Sequence, residues 1–153
     1  MKGATSFDDF ALGREIRECP DLLDLVRIVS RSTDRLSVLN TSYAVERLAA
    51  SNVEQRERLM CVGAFETVAT LCAAAAVRLE AGVETVDRST VARLLWGLGE
   101  LAQPEAHELH GAFGRQDAVQ VCCKQRFCFL RNIGNCLFVL YTILTCRIRV
   151  SKS

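Results

Sequence analysis

The chain has 153 residues, of which 50% are hydrophobic and 24% charged, a composition typical of one globular domain. The six basic residues after position 118 have no acidic residue among them, and the other 13 basic and 18 acidic residues give residues 1–118 a net charge of −5. This mildly acidic body argues against a surface that attracts nucleic acid everywhere, although it allows a local basic stripe.

The cysteines and the N-terminal segment bear on the compartment. Five of the eight cysteines lie after position 118, and the chain combines only two prolines with long helical patterns. This argues against a disulfide-bonded secreted module and favours a reducing compartment. Because the first twenty residues contain four acidic residues and no apolar signal-peptide core, we expect no secretory signal and disfavour an ordinary mitochondrial presequence.

The first nineteen residues predict a leading arm or a short helix. A first clear helix, A1, follows, because Pro20 suits the first helical position and Asp21 complements the positive end of the helix dipole. Its apolar residues recur at helical spacing, at Leu22, Leu25, Val26, Val29 and Leu36. Helix A1 is therefore predicted over about residues 20–36.

A second helix, B1, is predicted over residues 41–51, with Asn40 or Thr41 as its N-cap. Its apolar stripe is narrow and consists mostly of small residues: Ala44, Val45, Leu48 and Ala49. Small residues permit close approach of a neighbouring helix, so B1 is expected to pack tightly against another element.

The strongest helical periodicity lies between positions 54 and 80, where apolar residues follow helical spacing from Phe65 to Leu79. Asn52 is a candidate N-cap for this region, and Gly63 can divide it into a shorter helix and a main helix, A2. Gly82 is the predicted C-terminal stop.

The last clear helix, B2, is predicted over residues 89–102, with Asp87, Ser89 or Thr90 as its N-cap. Its apolar face contains Val91, Leu94, Leu95, Leu98 and Leu101. Trp96 lies inside this leucine-rich stretch, where a tryptophan is more often a packing residue than a base-stacking one. We therefore expect Trp96 in the core.

Helices B1 and B2 are related by an offset of 50 residues, which sets Ala44 against Leu94 and Leu48 against Leu98. This offset exceeds the about 34–47 residues of common helical-hairpin repeats. We predict an all-α fold over residues 20–115, in which two helical hairpins form a right-handed stack of the α-solenoid type. Because about three repeats are needed for stability, two repeats indicate a fragment, a cap or a protein that requires a partner.

Residues 116–153 form a tail of different character, basic, rich in cysteine and apolar, with an almost wholly apolar run over residues 133–146. That run is a weak tail-anchor candidate, because it is shorter than the about 20 residues that span a bilayer, so membrane association is not expected. The alternatives are a short buried helix or strand pair and translated noncoding sequence. The abrupt change of composition favours the last of these.

No constellation of catalytic or metal-ligating residues stands out. The two histidines, His107 and His110, lie close together near Glu105 and Glu108, and the adjacent Cys122 and Cys123 converge poorly on a metal ion. We therefore predict no enzyme activity, no metal site and no cofactor.

Two segments carry a family resemblance. Residues 39–49, Leu-Asn-Thr-Ser-Tyr-Ala-Val-Glu-Arg-Leu-Ala, and residues 94–101, Leu-Leu-Trp-Gly-Leu-Gly-Glu-Leu, resemble the helical repeat of the organellar FAST-kinase-like, RAP-domain and octotricopeptide proteins. The resemblance covers about residues 20–102 and includes no RAP domain. Gly97 and Gly99 depart from it where alanine is expected, and Glu100 stands where lysine is common.

The resemblance implies a non-catalytic protein that binds single-stranded RNA or a ribonucleoprotein and supports RNA processing, stability or ribosome assembly in mitochondria. Without it, the chain would be placed in the cytoplasm. The alternative functions are a protein–protein interaction scaffold and a truncated repeat fragment without independent function. The negative charge of the body favours the scaffold.

Tyr43, Arg47 and Arg93 are the candidate RNA-binding residues. The offset of 50 makes Tyr43 and Arg93 equivalent, and Arg47 lies one helical turn beyond Tyr43. On a common surface, a guanidinium group could meet phosphate and a ring could meet a base. The more common alternative is a solvated face on which Arg47 or Arg93 pairs with a nearby acidic residue.

Overall fold

The computed structural model describes residues 4–82, 84 and 86–102 and confirms the predicted all-α class for this part of the chain. The six helices are α1 (Ala4–Glu18), α2 (Leu22–Arg31), α3 (Val38–Ala49), α4 (Val53–Cys61), α5 (Ala64–Glu80) and α6 (Arg88–Ala102). Predicted helices A1, B1 and B2 correspond to α2, α3 and α6, but A1 ends at Arg31 instead of residue 36, and B1 begins at Val38 instead of residue 41. The predicted A2 region is divided into α4 and α5, and the leading arm is helical. The tail of residues 116–153 lies outside the described residues.

Several helix ends form where the sequence predicts them. Asn52 makes a capping box with Gln55, in which each side chain accepts a hydrogen bond from the backbone of the other. Gly63 has φ 71° at the break between α4 and α5, and Gly82 has φ 66° just after α5. Both glycines adopt the left-handed conformation that other residues avoid.

Other predicted ends are wrong. Helix α2 begins after Asp21, which is its N-cap, so Pro20 precedes the helix instead of opening it. The N-cap of α3 is Ser37 rather than Asn40 or Thr41, because Ser37 Oγ accepts the hydrogen bond of the Asn40 backbone N–H at 3.2 Å. The Asn40 side chain is buried and bonds α1 instead.

Helices α1, α3 and α6 lie side by side and run in the same direction, with α3 in the middle. Near the start of α3, Asn40 contacts Asp9 of α1. One turn further along α3, Tyr43 contacts Arg17, which also lies further along α1. Helix α6 packs on α3 more extensively than any other pair of described helices pack. Helices α2 and α5 pack on each other and on α3 and form the second layer.

The core lies between these two layers. Its fully buried side chains include Ile16, Leu25, Val29, Val45, Leu48, Leu71, Leu94 and Leu98. Four of the five apolar residues predicted for the buried face of α6 are buried, and Leu95 packs partly against them. The sequence therefore predicts the buried faces of both α3 and α6 well.

The prediction that Trp96 lies in the core is wrong, because its side chain is 49% exposed. Leu94 and Leu98 occupy the centre of the buried stripe of α6, and Trp96 is two residues from each. Two residues are about 200° apart around a helix, so Trp96 lies on the opposite side.

Gly97 and Gly99 lie two residues apart in α6 but have opposite surroundings. A Cβ atom at Gly97 would lie 2.7 Å from Val45 Cγ1 and 3.3 Å from the carbonyl carbon and oxygen of Val45. A Cβ atom at Gly99 would meet nothing within 4 Å. Gly97 therefore permits the close approach of α6 to α3, and Gly99 does not contribute to it.

None of the described helices is by itself long and apolar enough to cross a membrane. Helices α4 and α5 pass such a test only as a pair, by length and composition, and they are bent by 80° at the break between them. The tail-anchor candidate at residues 133–146 lies outside the described residues.

We expect Gly99→Ala to raise stability and Gly97→Ala not to raise it. Alanine is favoured over glycine in a helix by about 1 kcal/mol, which both variants gain. At position 97 the new methyl group also forces α6 away from Val45, at an overpacking cost of about 1–3 kcal/mol. Urea unfolding should therefore show Gly99→Ala to be more stable than wild type and Gly97→Ala no more stable or less stable. A gain of equal size in both variants would contradict the packing of α6 on α3.

Asp87 caps α6, as one of three predicted candidates. Its Oδ1 accepts a hydrogen bond from the Thr90 backbone N–H at 2.9 Å, and its Oδ2 accepts one from Ser89 Oγ at 3.1 Å. The bonds to Thr90, followed by the bond to Ser89, lower the pKa of Asp87 from its ordinary value of 3.8.

We expect the stabilising effect of the Asp87 charge to disappear in acid. A carboxylate with a lowered folded-state pKa stabilises the fold above its unfolded-state pKa and loses this effect as the pH falls through the folded-state value. Asp87→Asn keeps an oxygen that can cap the helix but has no charge. The difference in unfolding free energy between wild type and Asp87→Asn, measured from neutral pH downward, should shrink below pH 3.8. A difference that does not vary with pH would contradict this role.

Candidate nucleic-acid interface

Tyr43 of α3 and Arg93 of α6, two of the three candidate residues, are in direct contact. The Cζ atom of Arg93 lies 4.4 Å from the centroid of the Tyr43 ring, which is a cation–π distance. Arg93 Nε lies 3.1 Å from Glu46 Oε2, and Arg93 Nη1 donates to Ser42 Oγ at 3.1 Å. Three side chains of α3 therefore hold Arg93 in place. One of them, Glu46, is a nearby acidic residue of the kind expected if Arg93 belongs to a solvated helix face.

Arg17 of α1 joins this pair, although its position in the sequence gives no sign of the contact. Its Cζ atom lies 5.1 Å from the Tyr43 ring centroid, and its Nε donates to the Gly13 carbonyl at 3.2 Å. No carboxylate of the described residues forms an ion pair with Arg17. We call Arg17, Tyr43 and Arg93 the Arg–Tyr–Arg ladder, because three parallel helices contribute one residue each.

The docking of α1 on α3 places Arg17 beside Tyr43. Asn40 Nδ2 donates to the Asp9 backbone carbonyl at 2.8 Å and to Asp9 Oδ1 at 2.7 Å. Gly13 lies so close to the Asn40 side chain that a Cβ atom there would collide with it. No periodicity in the sequence signals this contact, because it joins residues that are about thirty positions apart and depends on one glycine.

Arg47, the third candidate, is directed to the C-terminal end of α1. Its Nη1 donates to the Ile16 carbonyl at 2.8 Å and also to the Cys19 carbonyl. These are carbonyl groups at the helix end that lack partners within the helix and carry partial negative charge. Arg47 therefore fastens α1 to α3. Its role in RNA binding stays a prediction, and the structure does not support it, because the guanidinium group is already bound to these two carbonyls.

The described surface outside the ladder includes an open groove but no metal-binding cluster. Within residues 4–82, 84 and 86–102, no group of three His, Cys, Asp or Glu side chains is placed to hold a metal ion. An open groove of about 580 Å³ between α1 and α2 is lined by Glu15, Glu18, Arg27 and their neighbours. Arg27 is already paired there with Asp24 at 2.7 Å. The two histidines and the cysteines of the tail lie outside the described residues.

We expect Arg47→Ala to act on stability. Losing hydrogen bonds from a charged group to two carbonyls should lower the free energy of unfolding by about 1.5–3 kcal/mol. Arg58→Ala is the matched control, because Arg58 is exposed and its one ion pair with a described residue is with Glu54 one turn away, a contact worth at most about 0.5 kcal/mol. Both changes are measured by urea denaturation, and equal effects would contradict the proposed anchoring by Arg47.

Comparison of the chain with protein-family models, with curated proteins and with solved structures finds no significant match.

Proposed function

We propose that this chain is a non-catalytic helical-repeat protein that binds single-stranded RNA along the Arg–Tyr–Arg ladder. The observation that carries the proposal is that three parallel helices, α1, α3 and α6, bring one residue each to the same place on the surface. Helical-repeat proteins bind extended ligands in this manner, with a few side chains from each repeat.

In this proposal the two guanidinium groups bind backbone phosphates. Arg17 is the stronger candidate, because it has no ion-pair partner among the described residues and can offer its full charge. Arg93 is pre-positioned by Ser42, Tyr43 and Glu46, so that little side-chain entropy is lost when it binds. Tyr43 serves as the common support on which both groups rest.

The cellular role follows from the family resemblance alone. We extend the proposal to RNA processing, RNA stability or ribosome assembly in mitochondria on that basis. The departure of Gly97 from the alanine of the repeat is compatible with the resemblance, because the close contact with Val45 gives this glycine a packing function of its own.

A protein–protein scaffold is the second candidate. Glu46 neutralises Arg93, and Phe7 and Phe10 of α1 are 79% and 67% exposed. Exposed aromatic rings are also common in protein interfaces. Salt dependence separates the two candidates, because only RNA binding releases condensed counterions from a phosphate backbone.

We expect the full chain to retain single-stranded RNA in a filter-binding assay at low salt and to release it as salt rises. Arg17→Ala should weaken binding several-fold for all sequences and reduce the slope of log affinity against log salt by about 0.7, the loss of one phosphate contact on a single strand. Arg58→Ala, on α4, is the control and should change neither quantity. Failure of the wild-type chain to bind RNA at low salt would reject the proposal.

A further inference from the structure

The ring of Tyr43 is already occupied. Stacking on a nucleobase requires an aromatic ring with an accessible face. Two guanidinium groups lie over the Tyr43 ring, with their Cζ atoms at 4.4 Å and 5.1 Å from its centroid. Tyr43 can therefore position the phosphate-binding groups, and a base can stack on a face covered by either group only by displacing that group.

Trp96, in contrast, is accessible and adjoins the ladder. It lies three residues after Arg93 in α6, a spacing that brings two side chains together on a helix surface, with Cβ atoms about 5–6 Å apart. Its side chain is 49% exposed, whereas Leu94 and Leu98 on the opposite side of α6 are buried. Trp96 and Arg93, the residue at one end of the ladder, therefore project from adjoining positions on the surface of α6, with the Arg93 guanidinium group directed to Tyr43.

The neighbours of Trp96 along α6 leave its ring uncovered. Its neighbours at helical spacing are Ala92 and Gly99, which are exposed, and Arg93 and Glu100, which are partly exposed. A Cβ atom at Gly99 would have open space around it. Glycine inside a helix is unfavourable, and no contact among the described residues explains Gly99, but it keeps the space beside the indole free of side chains.

We propose that Trp96 is the residue on which an unpaired base of the bound strand stacks, while the guanidinium groups of Arg93 and Arg17 bind the adjoining phosphates. This inference rests on the proposed RNA-binding function and names the part of the ligand that the site selects. Bases in a duplex stack on one another and cover their own faces, so this arrangement selects unpaired strands. Because every base has a flat face, the selection is for strandedness rather than for sequence.

Trp96 is the only tryptophan of the chain, so its fluorescence reports on this position alone. The test titrates the full chain with an unpaired RNA strand of about ten nucleotides, within the range of known site sizes. An abasic strand of the same length and a duplex are titrated in parallel. Retention on filters measures binding independently in each case. We expect the strand with bases to quench Trp96, and the abasic strand and the duplex to bind more weakly without quenching it.

Three variants sharpen the test. Trp96→Ala should weaken binding of the base-bearing strand about 5- to 150-fold, and Trp96→Phe should weaken it less because a ring remains. Gly99→Leu should reduce binding with Trp96 still present, since a leucine side chain would cover the indole. Val77→Ala is the control, because Val77 is exposed on α5 and its loss should not affect binding.

Each contrary outcome has a distinct meaning. Retention of RNA without quenching, or with unchanged affinity of Trp96→Ala, would overturn the role of Trp96 and leave the proposed function standing. Absence of retention for every strand would overturn both. A shift of Trp96 emission that grows with protein concentration in the absence of RNA would identify the indole as a protein contact and overturn the inference.

Discussion

The described fold depends on the close parallel contact between α3 and α6. Gly97 makes this contact possible, because any larger residue would press against the side chain and backbone of Val45. Arg93 lies about one turn before Gly97 on α6, and Tyr43 lies two residues before Val45 on α3. The backbone approach that seals the core therefore also brings the tyrosine ring and the guanidinium group together, so the candidate site is a consequence of packing.

Helix α3 is the centre of the structure because its polar residues fasten its neighbours. Asn40 and Arg47 bind α1, and Ser42 and Glu46 bind Arg93 of α6. At the start of the helix, Glu84 accepts a hydrogen bond from the Val38 backbone N–H at 2.8 Å and lies 3.4 Å from Arg78. Polar residues that look like a solvated helix face in the sequence thus join elements that are far apart along the chain.

The charge of the candidate site is local and modest. Arg93 shares its charge with Glu46, whereas Arg17 does not pair with any described carboxylate, in a body whose net charge is negative. Long-range attraction of a polyanion is weak under these conditions, and screening at physiological salt limits the reach of each charge to about 8 Å. Affinity for RNA then has to come from contacts at short range, which gives aromatic stacking a larger share than in a strongly basic protein.

The sequence by itself determined the features that depend on neighbouring residues. The apolar stripes of α3, α5 and α6, the capping box at Asn52, the left-handed glycines at 63 and 82 and the cap at Asp87 are all local. Helical periodicity also predicts that Trp96 is exposed, because a residue two positions away from both Leu94 and Leu98 lies on the opposite side of the helix. The prediction failed there because residue type was given more weight than helical angle.

Only the tertiary structure decided which of these helices touch and what their polar side chains bind. Arg17 became part of the site because Gly13 and Asn40 dock α1 on α3, and Arg47 left it because the same docking offers α1 carbonyls to its guanidinium group. Ser37 caps α3, and the Asn40 side chain donates a hydrogen bond to Asp9 instead. Helical periodicity specifies which side of each helix is apolar. The partner of a polar group, in contrast, is set by whichever distant backbone or side chain the packing brings within hydrogen-bond distance.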